Sequence, residues 1–299
     1  MMDDFNLYPL HVFRVVARLG SVTRAAEELC ISQPAVSFHL KSVQARYGET
    51  LLERTPRGMI TTCAGALVAS NADRLFALLE DTRAAVASSR HEVKGAVIVA
   101  SSSTPGAYLA PRLLRQFQDR HPGVTTELMV GDSVEAISWL QNYRAGLGVV
   151  GDTRLPESME RKPIAQDELR LVAAACDPLC RRDVISRSDL AGRTLFLRET
   201  GSSTRAGAER LLCEWLDAFE RVESLRSSEA IKQAAIARLG VAVLSSWATE
   251  LEERAGLLAP VSDMRFRHAR SFYAVRRSDR PFVGAAAALW ELLVTGSYT

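Results

Sequence analysis

Short bursts of apolar residues at helical spacing occupy residues 5–62, one uninterrupted helical pattern fills 64–90, and 93–299 alternates β-rich runs with amphipathic helices. In GSVTRAAEELCISQPAVSFHLKSVQARYG a helix starts at Ser21 or Thr23, carries the small pair Ala25 and Ala26, and breaks at Cys30 and Ile31 after Leu29. A second helix starts after Ser32, with Pro34 in its first turn, where a missing N–H costs nothing. Two short helices joined by a tight turn predict a helix-turn-helix. LLERTPRGMITT follows, two strand-like runs around Thr55-Pro56-Arg57-Gly58, and predicts a β-wing.

The angular positions on the second helix select its exposed chemistry. With Val36 at 0° and about 100° per residue, Leu40 and Val43 join it in one apolar stripe. Pro34, Ser37, Phe38 and Lys41 fall on the opposite face, and an aromatic ring among short polar groups there calls for a partner. A major groove supplies one. Ser32, Gln33, Pro34 and Ser37 line the helix start, Gln33 and Ser37 can bond base edges, Phe38 can meet a thymine methyl, and Lys41 can reach a phosphate or guanine. Arg54 and Arg57 of the wing are placed for the backbone or minor groove.

The pattern AGALVASNADRLFALLEDTRAAVASSR has no proline and would extend about 40 Å at ~1.5 Å per residue, longer than one small domain covers. A partner helix from a second subunit is the simplest cover, so a homodimer is expected.

Beyond it, the order of strands and helices predicts parallel strands with helices on both faces, arranged as two lobes joined by two crossovers. The divisions read as 1–62 winged helix-turn-helix, 63–91 dimerisation linker helix and 92–299 two-lobed α/β domain. Within the last, 92–163 and 268–299 form one lobe and 164–267 the other. Polar clusters sit at strand-to-helix junctions: Ser102, Ser103 and Thr104; Ser133 after Asp132; and Ser202, Ser203, Thr204 and Arg205. Free N–H groups and the positive helix end at such junctions bind anions, with Arg205 as the charged partner. Glu229 opens another helix and is a candidate for the far wall. The arginines Arg265, Arg267, Arg270, Arg276, Arg277 and Arg280 read as a solvated strand and loop surface.

Charge alters the picture little. The chain has 299 residues, 37 basic and 35 acidic, and residues 1–62 carry seven basic and six acidic side chains. One module therefore neutralises few phosphates, and affinity should come from two acting together. Five cysteines without paired spacing read as reduced, mostly structural thiols, and the scattered histidines as surface or capping residues; no metal or cofactor is expected. The absence of a leader-like start and of a membrane-length apolar run points to a cytoplasmic protein with no membrane partner.

The run from LYPLHVFRVVARLG through LLERTPRGMITTCAG resembles the winged helix-turn-helix of LysR-type transcriptional regulators, in its small-residue pair, SQPAVS segment and wing order. Phe38 departs from the polar or basic residue common there, and Cys63 from a Glu or Pro. The later pattern is similar to that family's periplasmic-binding-protein-like effector domain. The resemblance implies a double-stranded DNA operator, a small effector, anionic here, a homotetramer built from dimers, and RNA polymerase as a further partner. A cytosolic α/β enzyme lacks a G-x-S-x-G elbow or P-loop here, and a solute-binding protein does not account for the first 90 residues.

Overall fold

The computed structural model describes residues 6–56, 58–88, 93–280 and 282–296, and the chain divides into two compact units, 1–83 and 84–299. The first unit contains α1 (Tyr8–Leu19), α2 (Val22–Glu28), α3 (Gln33–Tyr47), β1 (Leu52–Thr55), β2 (Gly58–Thr61) and most of α4 (Cys63–Ser88). Ser21 and Ser32 cap α2 and α3, accepting from the N–H groups of Arg24 and Ala35. Gly20 and Gly48 close α1 and α3 in the left-handed region. Cys30 takes the same backbone region at φ 53° in the turn between α2 and α3.

The core of this unit is Val12, Phe13, Val16, Ala25, Val36 and Leu51, all fully buried. The smallness of Ala25 and Ala26 lets α2 approach its neighbours closely. Gln44 fixes the exit from α3, its Oε1 accepting from Leu51 N at 2.9 Å. The wing is an antiparallel pair with Arg54 opposite Met59, anchored where Met59 N donates to Gly20 O. At the start of α4, a Cβ on Gly65 would lie 1.8 Å from the Leu51 carbonyl oxygen, so only glycine permits this approach.

The second unit runs β3 (Gly95–Ser102), α5 (Ser103–Tyr108), α6 (Ala110–Arg120), β4 (Val124–Gly131), α7 (Ser133–Gln141), β5 (Leu147–Val150), β6 (Met159–Ala174) and α8 (Arg187–Leu190). It continues through β7 (Thr194–Arg198), α9 (Ser203–Leu211), β8 (Arg221–Leu225), α10 (Ser228–Ile236), β9 (Val241–Ser245), α11 (Ser246–Arg254), β10 (Leu258–Pro260), β11 (Arg267–Arg277) and α12 (Gly284–Thr295). Strands β4, β3 and β5 are parallel, as are β8, β7 and β9. These two sets are the lobes, each around its own apolar core, one containing Phe117, Leu147 and Phe272 and the other Leu195, Leu197 and Phe266.

The long strands β6 and β11 differ from the sequence expectation. They pair antiparallel with each other from Arg267↔Arg170 to Arg277↔Met159, and antiparallel with β9 and β5. The sheet is therefore mixed, not wholly parallel, and the two strands run through both lobes. Helix α11, which the sequence pattern does not predict, follows β9 directly, with Ser245 as its cap.

Candidate functional site

Two sets of side chains carry chemistry, one in each unit. On α3, Val36, Leu40 and Val43 are buried against α1 and α2, which turns Gln33, Pro34, Ser37, Phe38 and Lys41 to the surface together. Phe38 is 69% exposed, a large apolar ring held out among polar neighbours. Ser32 is exposed at the helix start, where its Oγ accepts the capping bond and its O–H remains able to donate. Arg54 is exposed on the wing strand, and Arg57 lies outside the described residues.

In the second unit the helix N-termini of both lobes meet. Ser203 N donates to Ser133 Oγ at 3.3 Å across the lobes. A Cβ on Gly151 would lie 2.2 Å from Ser203 Oγ, and one on Gly201 2.9 Å from an Asp132 carboxylate oxygen. Ser102 Oγ accepts from Gly151 N at 3.0 Å, and Ser202 caps α9 by accepting from Thr204 N. Ser102, Thr104, Ser133, Ser202, Ser203 and Thr204 are buried, while Ser103 is half-buried. The hydroxyl clusters of the sequence are thus close together in space.

Two expected members do not face this junction as free groups. Arg205 is committed elsewhere: its Nε donates to Glu209 at 2.8 Å and its Nη1 to Arg198 O and Ser224 Oγ. Glu229 is exposed and bonds Lys232 at 2.8 Å, and the hydrogen bonds from Lys232 and Gln233 hold its carboxyl below the usual range. Lys232 itself is buried between Glu229 and Glu252; burial works to lower its pKa, and the two carboxylates raise it above the usual ammonium value.

The cation at the junction is Arg270, which the sequence pattern groups with the surface arginines. Register places it directly opposite Asp167 on β6. Its side chain is 1% exposed, its Nε donates to Asp167 Oδ2 at 2.7 Å, and its Nη2 donates to Thr204 Oγ1 at 3.2 Å. Asp167 also accepts from Ser245 and Ser246 at 2.6 and 3.2 Å. The remaining nitrogen, Nη1, is buried and has no hydrogen-bond partner among the described residues, 3.9 Å from the Cβ position of Gly151. A charged donor in this state costs more than the roughly 1–3 kcal/mol of a neutral one, unless an acceptor completes it. Chemically, the junction offers one guanidinium nitrogen, several hydroxyls and the N-termini of α7 and α9, a donor set that fits an oxyanion.

The thiols differ from expectation as well. Cys30, Cys63, Cys176 and Cys213 are exposed, and only Cys180 is buried, where burial pushes its thiol up to about 11. Among the described residues no group of His, Cys, Asp and Glu could hold a metal ion, and no helix is long and apolar enough to cross a membrane.

Comparison with known proteins accounts for both units. Residues 7–66 match the bacterial regulatory helix-turn-helix protein, lysR family, and residues 90–297 match the LysR substrate binding domain. The HTH-type transcriptional regulator CbbR of Rhodospirillum rubrum is 32% identical over 295 residues, covering 98% of this chain and 97% of its own. A full-length OxyR variant from Pseudomonas aeruginosa shares the fold at a TM-score of 0.73 and 19% identity, over 97% of this chain and 93% of that one. The regulatory domain of Synechocystis PCC6803 CcmR, solved in complex with 2-PG, aligns at a TM-score of 0.61 and 25% identity, over 67% of this chain and 96% of that domain. The chain belongs to the LysR family: it is a DNA-binding transcription regulator with an effector-binding domain, and not an enzyme.

Proposed function

We propose that this regulator reads its operator through Gln33, Ser37, Phe38 and Lys41 of α3, steadies itself on the backbone through Ser32 and Arg54, and responds to a small oxyanion gripped by Arg270. The observation that carries the effector reading is the buried Nη1 of Arg270, without a hydrogen-bond partner among the described residues and beside Ser203, Thr204 and Gly151. Ser102, Thr104, Ser133 and Ser203 supply the surrounding hydroxyls. The protein's own Ser203–Ser133 bond ties the lobes where the anion enters, so binding exchanges that tie for bonds to the ligand. The effector shifts DNA engagement through its unequal affinity for two arrangements of the lobes.

The assembly is a homodimer, paired further into a tetramer, acting in the cytoplasm. Leu67, Leu78 and Val86 are exposed along α4, an apolar surface suited to a second copy. Residues 89–91 of the expected linker lie outside the described ones.

Thermal unfolding in sulfate, inorganic phosphate and 2-PG, each against chloride at equal ionic strength, tests the effector reading. At a hundredfold excess over Kd a bound anion contributes about 2.7 kcal/mol, or roughly 5–10 °C for a domain of this size. Arg270→Lys keeps the charge on Asp167 and removes the forked donors, so it should lose most of the stabilisation. Failure of all three anions to stabilise the wild type, or equal stabilisation of the variant, overturns the reading.

A further inference from the structure

The first unit holds a run of ring contacts that the helix-turn-helix does not require. His39 of α3 meets Phe38 edge-to-face, with centroids 5.6 Å apart at 71°, and meets Tyr8 of α1 at 5.1 Å and 83°. Tyr8 lies 6.4 Å from His11, and His11 meets Phe76 of α4 at 5.3 Å and 62°. Arg14 covers the Phe76 ring at 4.7 Å and pairs with Asp73 at 3.6 Å. The sequence pattern places both histidines at the surface, yet each is partly buried between aromatic neighbours.

The placement of His39 is set by these rings. Its Nδ1 is buried without a hydrogen-bond partner among the described residues, so no bond at that atom fixes the imidazole. Phe38, by contrast, is mostly in solvent, and a helical aromatic has two accessible χ1 wells. A groove of about 180 Å³, lined by Phe38, His39, Pro9, Ser42 and Arg46 among others, gives the ring somewhere to turn. His39 is the aromatic neighbour that the Phe38 ring meets in the observed pose.

We infer that His39 is a specificity-determining positioning residue: clamped between Tyr8 and Phe38, it fixes the orientation in which the Phe38 ring meets a base. The inference rests on the reading that Phe38 contacts the operator. An edge-to-face pair of this kind is worth enough to change a pose equilibrium about two- to tenfold. His39 acts through Phe38 without touching DNA bases, and Tyr8 joins the clamp to α1.

The test is selection of binding sites from a random duplex pool by the full-length protein. It is followed by Kd ratios for the selected site against each single-base-pair change. Five chains are compared: wild type, Phe38→Ala, His39→Leu, His39→Phe and, as a second way to open the clamp, Tyr8→Leu. Non-specific duplex affinity and the melting temperature check that each variant is folded. The expected result is that Phe38→Ala abolishes discrimination at one base step. His39→Leu and Tyr8→Leu should weaken it about two- to tenfold at that same step, with non-specific affinity unchanged, and His39→Phe should restore it. If Phe38→Ala loses discrimination while His39→Leu and Tyr8→Leu keep it, the positioning role fails and base reading stands. If Phe38→Ala keeps full discrimination, the underlying reading of Phe38 fails and the inference falls with it. Loss in His39→Leu that His39→Phe does not rescue also overturns the clamp.

Discussion

Replacing Arg270 by alanine would strand Asp167. Both side chains are within 1% of fully buried and their ion pair spans 2.7 Å, so the deletion leaves a carboxylate inside the second unit without its cation. Breaking a buried pair from one side costs about 3–5 kcal/mol. The hydroxyls of Ser245 and Ser246 stay on Asp167 Oδ1, which places the loss near the lower end, about 3 kcal/mol. In a domain of 150–250 residues that corresponds to a fall of roughly 6–12 °C in melting temperature. Differential scanning calorimetry of Arg270→Ala, Asp167→Asn and the double variant is the assay. The double variant should recover at least half of the loss, because the stranded charge is gone. A fall of less than about 2 °C in Arg270→Ala, or a double variant no more stable than the single, would refute the pair as the electrostatic centre of the cleft.

The remaining predictions concern other parts of the chain. Gly65→Ala should cost about 3 kcal/mol or more and abolish DNA binding while the effector unit still melts cooperatively, since its Cβ meets the Leu51 carbonyl; calorimetry beside an electrophoretic shift reads both. Asp263 has its pKa lowered to about 2, chiefly by its bond to Arg265. Its stabilisation is therefore present above the unfolded value near 4 and is lost as pH falls toward 2, and Asp263→Asn should flatten that part of the stability profile in urea titrations. Iodoacetamide at pH 8 should label Cys30, Cys63, Cys176 and Cys213 in the native protein and reach Cys180 only on unfolding, as mass spectrometry would show.

The exposed face of α3 was legible because helical period alone separates Phe38 and Lys41 from Val36, Leu40 and Val43. The serine clusters were legible for a similar local reason: each lies at a junction that capping chemistry marks. Arg270 was not legible, because its burial depends on the antiparallel register with Asp167, 103 residues earlier in the chain. Within an arginine-rich strand, nothing local distinguishes it from Arg276 or Arg277. The start of β6 carries no strand signal because Glu160, Arg161 and Lys162 are three consecutive charged residues that break the two-residue alternation of apolar and polar positions. Arg205 and Glu229 held a usable signal: Glu209 stands four residues after the first and Lys232 three after the second, so local ion pairing competes with ligand binding at both.

Footprinting of the promoter-proximal operator by purified protein, with and without the most stabilising of the three anions, tests the central claim most directly. The account predicts a two-part protected region whose extent changes with the anion for the wild type and is unresponsive for Arg270→Lys. Protection that is absent at moderate salt, or that stays the same when a bound anion saturates the wild type, would contradict it.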